Sequence, residues 1–312
     1  KDFGNFQLGS ISGLKYNDIN GNGIKDGGEG SLSGWKIYLL SSDSLTKVDS
    51  FITTNSGYTF SNLHAGTYYV IEKNQSGWFQ TSSTPTEMSL SSGSNFVNIN
   101  FGNFQYGSIS GQKYHDLNGN GVKDNGEPGL SSWKIKVTGP KIDSIMTDGS
   151  GNYSFTGLIS GNYTISESMQ NGWYQTSPQL PGTYGISITS GSIQTGKDFG
   201  NVQYGTISGT FFQDINRNGV KDVGENGLSN WKVHLSGNRT DSIVTDNNGN
   251  YSFSSLPLGG YAVSEDIQSG WLQTLPSTPG IYSITMTSGG SFTGKDFGNV
   301  QITSISGMKD RK

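Results

Sequence analysis

The chain has 312 residues, 31% apolar and only 14% charged, with 47 glycines, no cysteine and a formal net charge of −4. Without cysteine there is neither a disulfide framework nor a thiolate metal site. No basic patch points to nucleic acid, and no apolar run approaches a membrane span. Low charge with abundant Ser, Thr, Asn and Gly suits an all-β surface protein.

From the N-terminus the same text returns. Residues 1–5 repeat at 197–201 and 295–299, so 1–8 read as the closing strand of a preceding repeat. Asp18, Asp116 and Asp214 lie 98 residues apart, as do Trp35, Trp133 and Trp231. A period near 100 is too long for a solenoid and large enough for a separate core. The expected units are 9–106, 107–204 and 205–302, with 303–312 as the start of a further repeat or a tail.

The second unit shows how each is built. A first strand from Gly107 leads into an acidic loop. A second follows from Gly129, with Trp133, Ile135 and Val137 on one face and Lys134 and Lys136 on the other. Further strands begin near Ser144, Tyr153, Gly161, Gly172 and Gly185, and residues 197–201 close the unit. Seven or so short strands with regular turn signals indicate an antiparallel sandwich, and no segment has helical periodicity. Only about four residues, Val202 to Gly205, separate one unit's closing strand from the next opening strand, too few for a flexible linker.

The acidic loop carries the chemistry. Its three copies place oxygen side chains at positions 1, 3, 5, 9 and 12, with glycine at 6 (Gly23, Gly121, Gly219). In the first copy these are Asp18, Asn20, Asn22, Asp26 and Glu29, in the second Asp116, Asn118, Asn120, Asp124 and Glu127, and in the third Asp214, Asn216, Asn218, Asp222 and Glu225. Calcium is a hard cation that takes six to eight oxygens, and this is the ligand spacing of an EF-hand-type loop. Position 7 (Ile24, Val122, Val220) lends a backbone carbonyl. Turn chemistry explains the Asp, Asn and Gly content but not a Glu six residues after the glycine in every copy. One Ca2+ per repeat, three in all, is the expectation. The flanking sequence alternates like a strand, and Lys25, Lys123 and Lys221 occupy position 8, so the loop is embedded in β-structure rather than between helices.

This loop, followed by a Gly-Leu-x-x-Trp element, a Gly-x-Tyr-x-Val-x-Glu strand and Asp-Phe-Gly-Asn, resembles the SdrD B-like repeats. These are calcium-binding B domains of serine-aspartate-repeat adhesins, relatives of the Cna-B (prealbumin-like) sandwich. The resemblance implies an all-β tandem array of three Cna-B/prealbumin-like antiparallel sandwiches, in an extracellular, cell-surface stalk or adhesin that calcium stiffens. Partners would then be neighbouring repeats of the chain or other copies of itself, as in a head-to-tail extracellular filament. A glycan- or protein-binding module is the other reading.

In Cna-B relatives an inward Glu promotes an isopeptide bond between a first-strand Lys and a last-strand Asn. Glu72, Glu167 and Glu265 are in phase with apolar residues, which makes Lys15–Asn103 and Lys113–Asn201 the matching pairs. In the third unit Phe211 holds the Lys position while Glu265 and Asn299 persist, which favours a plain hydrogen-bonding role. The pairs Trp35/Trp78, Trp133/Trp173 and Trp231/Trp271 could stack on sugars, but the first of each alternates with Ile or Val and reads as core. Asp148–Asn152 and Asp246–Asn250 read as turns rather than second metal sites. Ser44, Ser144 and Ser242, each in Asp-Ser-aliphatic, are candidate O-glycosylation positions that a strand edge explains equally well. His64, His115 and His234 fall at unrelated positions, and no nucleophile–base pair recurs, so no enzyme is expected.

Overall fold

Each opening strand is paired along both of its sides, with three partners in all, and the sandwich is arranged around it. In the computed structural model, which describes residues 3–302, the second module's opening strand Gly107–His115 pairs antiparallel with Asn152–Leu158. Its first half also pairs parallel with Ile193–Gln194, and its second half parallel with the closing strand Phe199–Gln203. The closing strand pairs antiparallel with Trp173–Ser177, completing one sheet. The facing sheet runs Asp143–Met146, Lys134–Thr138, Gly161–Glu167 and Thr183–Ile188, all antiparallel. The third module repeats this topology around Gly205–Gln213, and in the first the opening strand is split into Gly9–Gly13 and Lys15–Asn17. The fold is therefore an array of three mostly antiparallel β-sandwiches. The parallel pairs were not anticipated. They arise because opening and closing strands enter the same sheet from the same end.

Alternation decides what is inside. In Lys134–Thr138 the burial alternates with period two, leaving Ile135 and Val137 fully buried beneath the exposed lysines. Trp35, Trp133 and Trp231 are buried just before that strand. The backbone N–H of each Trp donates to a buried threonine hydroxyl (Thr53, Thr147, Thr245) at 3.0 Å, and the threonine donates in turn to the carbonyl of Leu32, Leu130 or Leu228. The second tryptophan of each pair packs edge-on against the first, with centroids 5.4–5.6 Å apart. Both rings therefore belong to the sandwich and not to an open sugar platform. The Asp148 and Asp246 segments are tight turns, each carboxylate accepting nearby backbone N–H groups.

The linker is shorter than expected. Only Tyr106 separates Phe101–Gln105 from Gly107–His115, and only Tyr204 separates the next pair. Phe104, from the first module's closing strand, belongs to the second module's core, with Phe79 packed beside it. Residues 3–8 form no strand, and Phe3 is exposed where Phe101, Phe199 and Phe297 are buried. The 303–312 segment and the first two residues lie outside the described residues. Among the described residues no helix is long and apolar enough to cross a membrane.

The glycine of the closing-strand Phe-Gly-Asn has a packing reason. A Cβ on Gly200 would lie 2.5 Å from the Tyr114 ring, and one on Gly102 would lie 2.4 Å from Tyr16. Gly200→Ala is expected to destabilise the second module by about 1–3 kcal/mol, the usual cost of overpacking. Gly149→Ala, whose Cβ meets nothing within 4 Å, should stay within about 0.5 kcal/mol of the parent. Denaturant titration of the two variants checks this.

Candidate metal loops, buried carboxylates and module junctions

Each acidic loop is wound by its own hydrogen bonds. Asp18 is fully buried and accepts Gly21 N–H and Gly23 N–H, both at 2.7 Å. Asp116 does the same for Gly119 and Gly121, and Asp214 accepts Asn218 and Gly219. Glu29, Glu127 and Glu225 are nearly buried. Each closes its loop with both oxygens, one accepting the amide of position 2 (Ile19, Leu117, Ile215) and the other that of position 9. Asn20 and Asn22 both donate Nδ2–H to Asp26 Oδ2 at 2.8 Å, as Asn118 and Asn120 do to Asp124, and Asn216 and Asn218 to Asp222. These bonds hold the Asp124 carboxyl below the usual carboxylate range. Ile24, Val122 and Val220 point their side chains outward, as suits a position that would lend only its carbonyl.

All six predicted positions of each loop thus lie in one closed turn between strand segments. Among the described residues, however, no three His, Asp or Glu side chains converge as a metal cluster. The carboxylates at positions 1, 9 and 12 are satisfied separately by N–H groups. The residues nevertheless fit calcium in kind: every donor is a hard oxygen, and an Asn side chain that offers N–H to Asp26 carries a carbonyl oxygen on the same rotatable end. Lys25 at position 8 folds back, its Nζ donating to the carbonyls of Asp26 and Glu29.

Beneath each loop lies a buried carboxylate. Lys15 Nζ is 2.8 Å from Glu72 Oε2, with both side chains out of solvent, and Asn103 Nδ2 donates to Glu72 Oε1 at 2.6 Å. In the second module Lys113 is 3.1 Å from Glu167, while the Asn201 amide turns toward Met169 Sδ at 3.7 Å. Each ammonium sits over a tryptophan face, Trp35 at 4.2 Å and Trp133 at 4.6 Å, and donates to the carbonyl of Phe101 or Phe199. Burial lowers both lysines to about 8, against the pull of their glutamates. Burial also pushes Glu167 up, while Lys113 pulls it back. In the third module Phe211 fills the lysine's place, stacked on Phe297 and packed on Trp231. Glu265 keeps Asn299 as donor at 2.8 Å but faces no cation among the described residues, and burial raises it to about 7.

The loops also meet the next module. Ser190 Oγ donates to Asn17 Oδ1 at 2.6 Å, just before the first loop, and Ser190 N–H donates to the carbonyl of Ile19 inside it. At the next junction His115 Nε2 meets Ser288 Oγ at 2.6 Å, and Leu258 N–H donates to Tyr174 OH. Gln105 and Gln203 donate their backbone N–H to Ser190 and Ser288, and their carbonyls accept Gly191 and Gly289 N–H. Gln7 makes the same pair of bonds to Ser92 and Gly93. Sequence reading missed these serines. Ser92-Gly93, Ser190-Gly191 and Ser288-Gly289 recur at the 98-residue period, but each looks like an ordinary turn.

Tandem sandwiches joined without a linker, each with an EF-hand-like loop at its end, define the class of protein. The chain belongs to the SdrD B-like domain family, whose model matches residues 9–105, 107–200 and 205–284. It is similar to serine-aspartate repeat-containing protein F of Staphylococcus epidermidis, 27% identical over 296 residues that cover 85% of this chain and 17% of the relative. Serine-aspartate repeat-containing protein D of Staphylococcus aureus (strain Newman) is 25% identical, with 85% and 22% covered. The chain thus spans about a fifth of the length of these relatives. Among solved structures it aligns with the Bacillus anthracis TIE protein (TM-score 0.41, 18% identity, 95% of this chain and 51% of that one). It also aligns with BcpA, the major pilin subunit of Bacillus cereus (TM-score 0.42, 12% identity, 95% and 100%).

The buried Glu265 gives the third module a pH dependence. Glu265 has an ordinary value of 4.5 and a folded value of about 7, so its contribution to stability is complete below about pH 4.5 and is lost as pH rises through 7. Between pH 5 and pH 8 the third module should lose on the order of 2–3 kcal/mol, and Glu265→Gln should abolish that loss. Amide exchange within Gly259–Glu265 at the two pH values provides the check, with no change in wild type counting against it.

Proposed function

We propose that this chain is a calcium-stiffened segment of an extracellular surface stalk, structural rather than enzymatic. The observation that carries the reading is the position of the acidic loops: those of the first two modules contact the module that follows. A cation there would act on the joint as well as on the sandwich. Asp18, Asn20, Asn22, Asp26, Glu29 and the Ile24 carbonyl would hold it in the first module, with their counterparts in the others. When bound, calcium supplies positive charge to three carboxylates per loop and removes the freedom of the loop. Each loop uses Asn rather than Asp at position 5, so its charge is modest and its affinity suits extracellular calcium. Membership of the SdrD B-like family and the similarity to serine-aspartate repeat-containing proteins support a surface role. With one residue between modules, three domains of about 30 Å should form a rod of roughly 100 Å.

Titration calorimetry should count three calcium ions per chain. Excess chelator should lower the melting temperature, because a ligand that binds only the folded state stabilises it by mass action. Asp116→Ala should weaken the second module most. Small-angle scattering should show the rod loosening on chelation; no calcium uptake, or a rod indifferent to chelator, would refute the reading.

The Glu72 contacts favour a second element. Glu72 bridges Lys15 and Asn103 in the buried core, the arrangement that the Cna-B resemblance associates with an isopeptide bond. Lys15 Nζ would attack Asn103 Cγ, the Nζ–Cγ bond would form, and the Cγ–Nδ2 bond would break. Glu72 would pass the proton from Nζ to the departing nitrogen, which leaves as ammonia. The pKa of about 8 for Lys15 helps by making the free amine accessible. Lys113, Glu167 and Asn201 offer the same groups less squarely, and Phe211 rules the bond out in the third module. Intact mass spectrometry should show the loss of one ammonia for each bond, two at most, abolished by Glu72→Ala and Glu167→Ala. A mass equal to the unmodified sequence would sink the idea.

A further inference from the structure

Loop position four distinguishes the modules. It is Gly21 and Gly119 in the first two and Arg217 in the third, and all three take positive φ, at 74°, 75° and 59°. Glycine adopts that backbone freely, whereas arginine does so at some cost. The third loop nevertheless keeps most of the winding: the N–H that Gly21 and Gly119 donate to Asp18 and Asp116 has no counterpart from Arg217, and Asp214 accepts the Asn218 amide in its place. Asp214 accepts the Gly219 amide at 2.8 Å, Asn216 and Asn218 both donate to Asp222, and Glu225 closes onto Ile215 and Asp222. The loop itself therefore accepts a side chain at position four.

The neighbouring module leaves little room for one: at Gly21 the nearest atom is the Cβ of Ser160, and at Gly119 it is the end of the Leu258 side chain, which would have to swing aside. A Cβ on Gly21 would lie 3.0 Å from Ser160 Cβ and 3.5 Å from Phe104 Cδ2, and one on Gly119 would lie 2.6 Å from Leu258 Cδ1. Ser160 and Leu258 occupy the same place in successive modules. Each sits at the tip of a hairpin, between Asn152–Leu158 and Gly161–Glu167 in the second module, and between Asn250–Leu256 and Gly259–Glu265 in the third. The hairpin tip of one module thus rests on position four of the module before it, at both junctions.

We propose that position four is a docking-specificity position. Glycine admits the hairpin tip of a following module, and an arginine refuses it. The face that carries Arg217 is accordingly not built to seat a module in the way the first two faces do. An arginine side chain extends well beyond its Cβ, so a tip that rested on position four as Ser160 and Leu258 do would have to displace it. The inference rests on the loops being junction elements, as in the functional reading above, but not on what they bind.

The test uses the full chain and two reporter amides. Gly289 N–H donates to Gln203 O across the second junction, and Gly191 N–H donates to Gln105 O across the first. In Gly119→Arg, exchange at Gly289 should rise on the order of tenfold while Gly191 stays as in wild type. Gly21→Arg should show the reverse, and Arg217→Gly should change neither. Gly119→Asn, in a residue type that tolerates positive φ, should also expose Gly289. It keeps the test open if Gly119→Arg does not fold. Unchanged protection at Gly289 in both Gly119 variants would overturn the proposal. So would lost protection of the Gly121 amide, which would show that the loop and not the neighbour demands glycine. Running each variant in calcium and in chelator separates the two readings. An absent calcium effect on wild type bears on the stiffening, and the contrast between variants bears only on docking.

Discussion

A carboxylate buried in the middle of a small sandwich has to be answered from within, and most of this structure is arranged around that constraint. The side chains of Glu72 and Glu167 are out of solvent and Oε1 of Glu265 is buried, and an isolated charge in such a place is costly. The answer comes from the two strands that begin and end the module. Running parallel and in register, they deliver a lysine from one and an asparagine from the other. Where the lysine is replaced by Phe211, the register survives with Phe211 opposite Phe297, but the charge does not fit as well. The ring takes over the packing that an ammonium made on the tryptophan face, and the glutamate is left near neutral pH in its titration. A buried ion pair is weak evidence for stability. Its use here is to tie the first strand to the last.

The same pairing organises the outside. Because the opening strand runs directly into the acidic loop, the loop emerges at the end of the sandwich from which the closing strand also leaves. The closing strand then becomes the next module's opening strand after one residue. Loop, junction and buried carboxylate are therefore neighbours by topology. A change in one has a short path to the others: Asp116 N–H donates to the carbonyl of Asn201, so the first loop residue of the second module is bonded to the strand that carries the core asparagine.

Flat, polar repeats with little charge run the risk of sticking edge to edge. Here the opening and closing strands are interior strands of their sheet, paired on both sides. One of the edges that remain, Asp143–Met146 in the second module and Asp241–Val244 in the third, is only four residues long and carries an Asp-Ser-aliphatic segment. Any modification of Ser144 or Ser242 would fall on that edge.

Much of this was legible in the sequence because its signals are local. The alternation of Ile135 and Val137 with lysines, the ligand-like spacing from Asp18 to Glu29, and the 98-residue period each depend only on neighbouring residues or exact repetition. Even the inward direction of Glu72 could be read from its phase with Val70. What the tertiary structure decided depends on which distant strands meet. No local pattern says that opening and closing strands lie parallel, that Glu72 holds both Lys15 and Asn103, or that Asn201 turns to Met169 instead. Nor does any local pattern say that the linker shrinks to one residue with Phe104 inside the next core. Gly21 and Gly119 look like turn glycines until Ser160 and Leu258 are placed beside them, and Ser190 looks like turn punctuation until it meets Asn17. Spacing along the chain dictates which side chains share a face, but only the folded chain decides what that face is pressed against.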